Sequence, residues 1–88
     1  MQERTALVRN KLGLHARPAA LMVQAAARFK ARIKILKDDQ EVDGKSIMGL
    51  MTLAAAHGSN VRIMAEGDDE IEAANAIVAL FETGFGEE

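Results

Sequence analysis

The stretch "RIKILKDDQEVD", residues Arg32 to Asp43, decides the fold. Ile33 and Ile35 alternate with Arg32 and Lys34, the period of a strand that buries one face. Asp38-Asp39 supplies a turn, because a short carboxylate side chain bonds to its own backbone and tolerates turn dihedrals. Gln40 to Asp43 then pairs back as a short second arm. A hairpin in mid-chain makes the sheet antiparallel there, and the alternation says that one face stays in water.

Outward from this hairpin the elements follow by period and punctuation. Upstream, Thr5 to Arg9 reads as a short strand. Pro18 to Phe29 reads as a helix with Ala19, Met22, Val23, Ala26 and Phe29 on one face. Downstream, Ser46 is a good N-cap for a helix through Leu53 or slightly beyond, and Gly58 ends the segment. Val61, Ile63 and Ala65 alternate with Arg62, Met64 and Glu66 as a last strand. Asp68 to Thr83 is a final helix with Ile71, Ala74, Val78 and Phe81 inward, stopped by Gly84. The order strand, helix, strand, strand, helix, strand, helix predicts an α+β fold: a four-stranded antiparallel sheet with the helices over one face.

The whole chain, 1–88, reads as one domain, since 88 residues bury only about 60–65% of their unfolded surface in a single core. There is no cysteine, so no disulfide or thiolate chemistry, which fits a reducing compartment such as the cytoplasm. Met1 to Arg9 lacks the apolar core of a signal peptide, and no apolar run approaches the roughly 18 residues of a membrane span. Charge is divided along the chain. Up to residue 45 there are ten Lys or Arg against five Asp or Glu, and from residue 46 one against eight. A basic patch on one side, open to acidic or phosphorylated partners, is the expectation.

The three helix starts differ. The last opens with Asp68-Asp69-Glu70, acids at the positive end of the helix dipole, the common stabilising arrangement. The first opens with His15-Ala16-Arg17-Pro18 and the second with Lys45-Ser46-Ile47-Met48. Each has a cation and no acid, beside backbone N–H groups that every helix start leaves unpaired. Free N–H groups, a dipole and a cation form an anion site, and phosphate is the usual anion. Each start also carries a phosphorylatable side chain, His15 or Ser46. A neutral imidazole, with a free-solution pKa of about 6.5, can attack a phosphoryl group and form a covalent phosphohistidine. Ala16 and Arg17 N–H groups at the helix start could then hold the phosphate, with a charge-assisted contact from Arg17.

Other chemistries fail on inventory. "DGKS" ends like a phosphate-binding P-loop, but the Gly that motif needs six residues before Lys45 is Asp39. His15 and His57 without cysteine make a weak metal set; His57 is expected near the C-terminal end of the second helix segment. Sheet-based RNA recognition wants exposed aromatics on strands, whereas the chain has no Tyr or Trp and its Phe29, Phe81 and Phe85 fall on helices or after them. Neither nucleic-acid binding, a metal nor a cofactor is expected.

"GLHARPA" (Gly13 to Ala19), followed about thirty residues on by "KSIMGLMTL" (Lys45 to Leu53), resembles the HPr family, the histidine-containing phosphocarriers of the bacterial phosphoenolpyruvate-dependent sugar phosphotransferase system. The resemblance spans essentially the whole chain. It implies an open-faced β-sandwich with strand order 1-4-2-3 and three helices on one face. It implies that His15 takes phosphate on Nδ1 from phosphorylated enzyme I and gives it to enzyme IIA domains, with Arg17 steering the phosphate. Ser46 resembles the regulatory serine modified by an ATP-dependent HPr kinase/phosphorylase. Ile47, Met48, Gly49, Met51 and Thr52 map onto the family's partner surface. The family's carriers work without a cofactor, and one that visits several partners is most simply a monomer. Position 12 departs from the pattern: Leu12 stands where many members have a small polar residue, and Asn10 is the polar side chain nearby. A regulatory HPr-like module, acting by binding a transcriptional regulator in its phosphoserine form or serving a nitrogen-branch relay, is the alternative; corepressor-type members lack the active-site histidine, which is present here.

Overall fold

A computed structural model describes residues 1–87. The chain runs β1 (Gln2–Leu7), α1 (Ala16–Ala26), β2 (Arg32–Lys37), β3 (Gln40–Asp43), α2 (Ile47–Leu53), β4 (Asn60–Glu66), α3 (Glu70–Glu82) and a short 3-10 turn (Gly84–Gly86). The strands form one antiparallel sheet in the order β1-β4-β2-β3. Register follows the alternation: Ile35 pairs with Ile63 on one side and Val42 on the other. Ile33, Ile35, Val61, Ile63 and Ala65 point into the core, while Arg32, Lys34, Arg62 and Glu66 stay exposed on the other face. On the exposed face Arg62 meets Glu3 at 3.3 Å and Lys34 meets Glu41 at 3.2 Å, cross-strand pairs of the kind that mark a solvated sheet surface.

Three helices close the buried face. α3 lies on β1 and β4, α2 on β3, and α1 on both other helices. Met22, Leu50, Leu53, Ile77 and Phe81 fill the space between the layers with no exposed surface to speak of.

Three boundaries differ from the sequence-based expectation. β1 begins at Gln2 and ends at Leu7, not Thr5 to Arg9, because its partner β4 begins at Asn60, opposite Leu7. α1 starts at Ala16 and stops at Ala26 rather than running from Pro18 to Phe29. Its end tightens through Arg28 N–H to Ala25 O (3.2 Å) and Phe29 N–H to Ala26 O (3.1 Å), which leaves Phe29 in a turn, half-buried. α3 is one to two residues shorter at each end, and its inward stripe is Ala73, Ala74, Ile77 and Phe81. Ile71, expected inward, is 52% exposed. At about 100° per residue the stripe through Ala73 and Ile77 leaves Ile71 and Val78 to one side, and Val78 only half-buried. The second helix ends where expected, at Leu53, but the stop is a left-handed Ala54 (φ 53°, ψ 42°) and not Gly58, so His57 stands in an exposed turn away from the helix end.

Asp69 ties the start of α3 to the α1–β2 connection. Its carboxylate accepts the backbone N–H groups of Lys30 and Ala31, both at 2.9 Å. The Lys30 N–H above all, with that of Ala31 and the nearby Lys45 ammonium, holds the Asp69 carboxyl below its ordinary 3.8 against partial desolvation. A depressed carboxyl contributes stability that is present above the unfolded-state value and is lost as pH falls through the folded one. Asp69→Asn is therefore expected to unfold more readily than the wild type at neutral pH. In urea titrations the gap between the two proteins should narrow as pH falls below the ordinary carboxylate range and Asp69 protonates too.

Candidate functional site

The loop between β1 and α1 is held from three directions. The Asn10 side chain is buried, and its Nδ2 donates to the Gly13 carbonyl oxygen at 2.7 Å. Gly13 N–H returns a bond to Asn10 O at 3.1 Å, and Leu14 N–H donates to Ala55 O at 3.0 Å. Asn10 therefore supplies the loop's polar tie, while Leu12 projects into solvent, 74% exposed. Gly13 sits at φ +68°, and a Cβ there would collide with the Ala55 carbonyl oxygen. Only glycine meets both demands without strain.

His15 follows as the N-cap of α1. Its backbone is extended (φ −78°, ψ −171°), and its carbonyl accepts the first helical bond, from Ala19 N–H at 3.0 Å. Its side chain does not cap the helix. Pro18 has no N–H to satisfy, which suits a proline in the first turn. That leaves the N–H groups of Ala16 and Arg17, and among the described residues neither finds a protein acceptor. No acid lies in the first turn. Ala16 and Arg17 are exposed, and Arg17 is in no ion pair among the described residues.

The imidazole is about one-third exposed, and among the described residues it is held from one side. Nε2 lies 3.1 Å from each carboxylate oxygen of Glu87. Glu87 Oε1 also accepts from Asn10 Nδ2, at 3.0 Å. The hydrogen bond from His15 holds the Glu87 carboxyl below the usual glutamate range against partial desolvation, helped by the Asn10 bond and by the positive field of Arg17. An ionised carboxylate only accepts, so the proton between them belongs to Nε2. Nδ1 has no hydrogen-bond partner among the described residues.

The second helix start is built differently. Ser46 Oγ accepts from Gly49 N–H at 3.0 Å, an ordinary serine cap. The Lys45 ammonium donates to the Phe29 carbonyl at 2.8 Å and is thus committed to the end of the α1 stretch. The cation expected to serve this start is already engaged elsewhere. α2 displays Ile47, Met48 and Met51, 42%, 75% and 43% exposed, with Thr52 exposed beside them. Thr52 Oγ1 donates back to Met48 O at 2.8 Å. Gly49 is half-buried beside them, where an added Cβ would press on Val42 and Ser46. A cleft of about 270 Å³ lies at the β2–β3 hairpin and includes no residue of the His15 site.

Sequence reasoning reached His15, Ala16 and Arg17 but not Glu87, which is 72 residues away from His15 in the chain. The only local signal was "GFGE" (Gly84 to Glu87), two glycines flanking an aromatic, a pattern able to reverse the chain.

The family model described as PTS HPr component phosphorylation site matches residues 2–83. Phosphocarrier protein HPr of Treponema pallidum is 49% identical over 88 residues, the full length of both chains. The crystal structure of HPr-C-His from Thermoanaerobacter tengcongensis, 53% identical, covers 100% of this chain and 99% of that one with a TM-score of 0.95. Crh, a Bacillus subtilis catabolite-repression protein solved as a domain-swapped dimer, is 45% identical, with 96% and 97% coverage and a TM-score of 0.77. The matching family and the names of these relatives place the chain among small phosphocarrier domains rather than stand-alone enzymes. The chain belongs to the HPr family of the phosphotransferase system.

Gly13→Ala is expected to destabilise the fold by roughly 1–3 kcal/mol, the cost of forcing a left-handed, crowded position. Urea unfolding of the variant against the wild type measures it.

Proposed function

We propose that His15 accepts a phosphoryl group on Nδ1 from phosphorylated enzyme I and hands it to enzyme IIA domains in phosphoenolpyruvate-dependent sugar uptake. The observation that carries this reading is the asymmetry of the ring: Nε2 is engaged by Glu87, and Nδ1 has no partner among the described residues, on the residue just before two unpaired N–H groups. The donor's bond to phosphorus breaks as the Nδ1–P bond forms. The Ala16 and Arg17 N–H groups and the Arg17 guanidinium are the donors nearest in sequence to receive the phosphate oxygens. The protein acts in the cytoplasm as a monomer, and its apolar Ile47, Met48 and Met51 give partners an adaptable contact.

Ser46 is the regulatory position in this reading, a substrate for an ATP-dependent HPr kinase/phosphorylase. A phosphate there would bring nearly two negative charges to the edge of the Met48 surface. The kinship with Crh favours a second reading, a phosphoserine-dependent partner of a transcriptional regulator. His15 and Arg17 together weigh toward the carrier.

Incubation with phosphoenolpyruvate and enzyme I should give an acid-labile phosphate, and His15→Ala should carry none. A label that survives in that variant places the site elsewhere. Purified Ser46 phosphoform should take phosphate from enzyme I more slowly than the unmodified protein. Equal rates would remove Ser46 from the regulation of this step.

A further inference from the structure

The segment after α3 delivers Glu87 to His15 by a route that the packing over-determines. Gly84, Phe85 and Gly86 are three successive left-handed residues, at φ +61°, +56° and +73°. Phe85 adopts this conformation without the freedom of glycine, a strain of about 1 kcal/mol or more. The core holds it there. The Phe85 ring is buried, edge-on to Phe81 with centroids 5.0 Å apart and planes at 71°. Gly86 N–H and Glu87 N–H bond back to Thr83 O and Gly84 O, at 3.1 and 2.9 Å. The turn therefore ends with the Glu87 carboxylate between two donors, Asn10 Nδ2 and His15 Nε2.

We propose that Glu87 is a positioning residue for His15: its carboxylate accepts the Nε2–H bond, fixes the tautomer whose Nδ1 lone pair is free, and balances the positive charge that the ring gains while Nδ1 carries a phosphoryl group. This rests on the phosphocarrier reading above. An imidazole that uses its Nδ1 lone pair to bind phosphorus while keeping the Nε2 proton becomes formally cationic. No proton needs to move in either direction: the electron pair of the donor's broken bond leaves with the donor, and the Nε2 proton stays between ring and carboxylate. When phosphorus departs, the leaving group is a neutral imidazole rather than an imidazolate. A carboxylate behind the ring orients and stabilises it in the way the acid of a hydrolytic triad does. Because Glu87 binds the nitrogen opposite the reactive one, it does not occupy the place of the phosphate. Asn10 completes the arrangement by fixing both Gly13 and the carboxylate with one amide group.

The test uses Glu87→Ala and Glu87→Gln in the full chain. In ¹⁵N spectra recorded where the ring is neutral, the wild type should show a protonated Nε2 and a bare Nδ1. Glu87→Ala should move both ring nitrogens toward a mixture of tautomers, and its phosphoryl transfer from phosphorylated enzyme I should slow by roughly tenfold. Glu87→Gln, which keeps an acceptor but not the charge, should retain the tautomer and still transfer more slowly than the wild type. Transfer by Glu87→Ala at the wild-type rate or faster overturns the proposal, as do ring-nitrogen shifts that the substitution leaves unchanged. The spectra need no phosphorylation, so a wild type that takes no label refutes the carrier reading and not the Glu87–His15 contact.

Discussion

The structure turns on one hydrogen bond, from Ala19 N–H to the His15 carbonyl, because it makes His15 the N-cap residue of α1. His15 cannot shift without undoing the start of α1, and α1 is packed against both other helices. The cost of this placement is visible by comparison with α2. There Ser46 Oγ satisfies an N–H of the first turn, a contribution of typically about 1 kcal/mol. α1 forgoes it. Its Ala16 and Arg17 N–H groups find no acceptor among the described residues, and Gly13 and Asn10 hold the loop in place of a side-chain cap.

Much of this was legible in the sequence, for reasons that are local. Ile33, Ile35, Val61, Ile63 and Ala65 alternate because one sheet face is wet, and the alternation identified β2 and β4 with their buried faces. The start of α1 was legible because a basic first turn contradicts the dipole, and contradiction is a stronger signal than agreement. The misreadings have a different origin. β1 was shifted because pairing with β4, not the apolarity of Ala6 to Val8, sets its limits. Ile71 was turned inward because a short helix admits two neighbouring stripes, and the sheet beneath selected the one through Ile77. Gly84 was read as a stop. It is that, and it is also the first of three left-handed residues whose conformation depends on the burial of Phe85. No window of sequence around residue 84 contains that burial.

Charge was less legible than apolarity. The division between a basic first half and an acidic second half suggested a patch, but folding draws cations and acids together across it. Lys45 reaches the Phe29 carbonyl and lies in the field of Asp69, and His15 meets Glu87. Arg17, from the basic half, remains without an ion-pair partner among the described residues and stands at the helix start whose N–H groups are unpaired.

A carrier must bind its cargo and release it, which limits how strongly the site can be built. Each 1.4 kcal/mol of additional holding shifts a transfer equilibrium by about tenfold. A buried cage of several cations would hold phosphate too well, whereas an open turn with one guanidinium and two amides leaves room for the next acceptor to compete. The Glu87 contact fits the same limit. The His15 ring is about one-third exposed, so solvent screens the charge pair and moderates its effect on the equilibrium. What the carboxylate supplies undiminished is geometry: one nitrogen keeps the proton, the other keeps its lone pair, and a donor or acceptor docking on the surface meets the same ring in the same orientation.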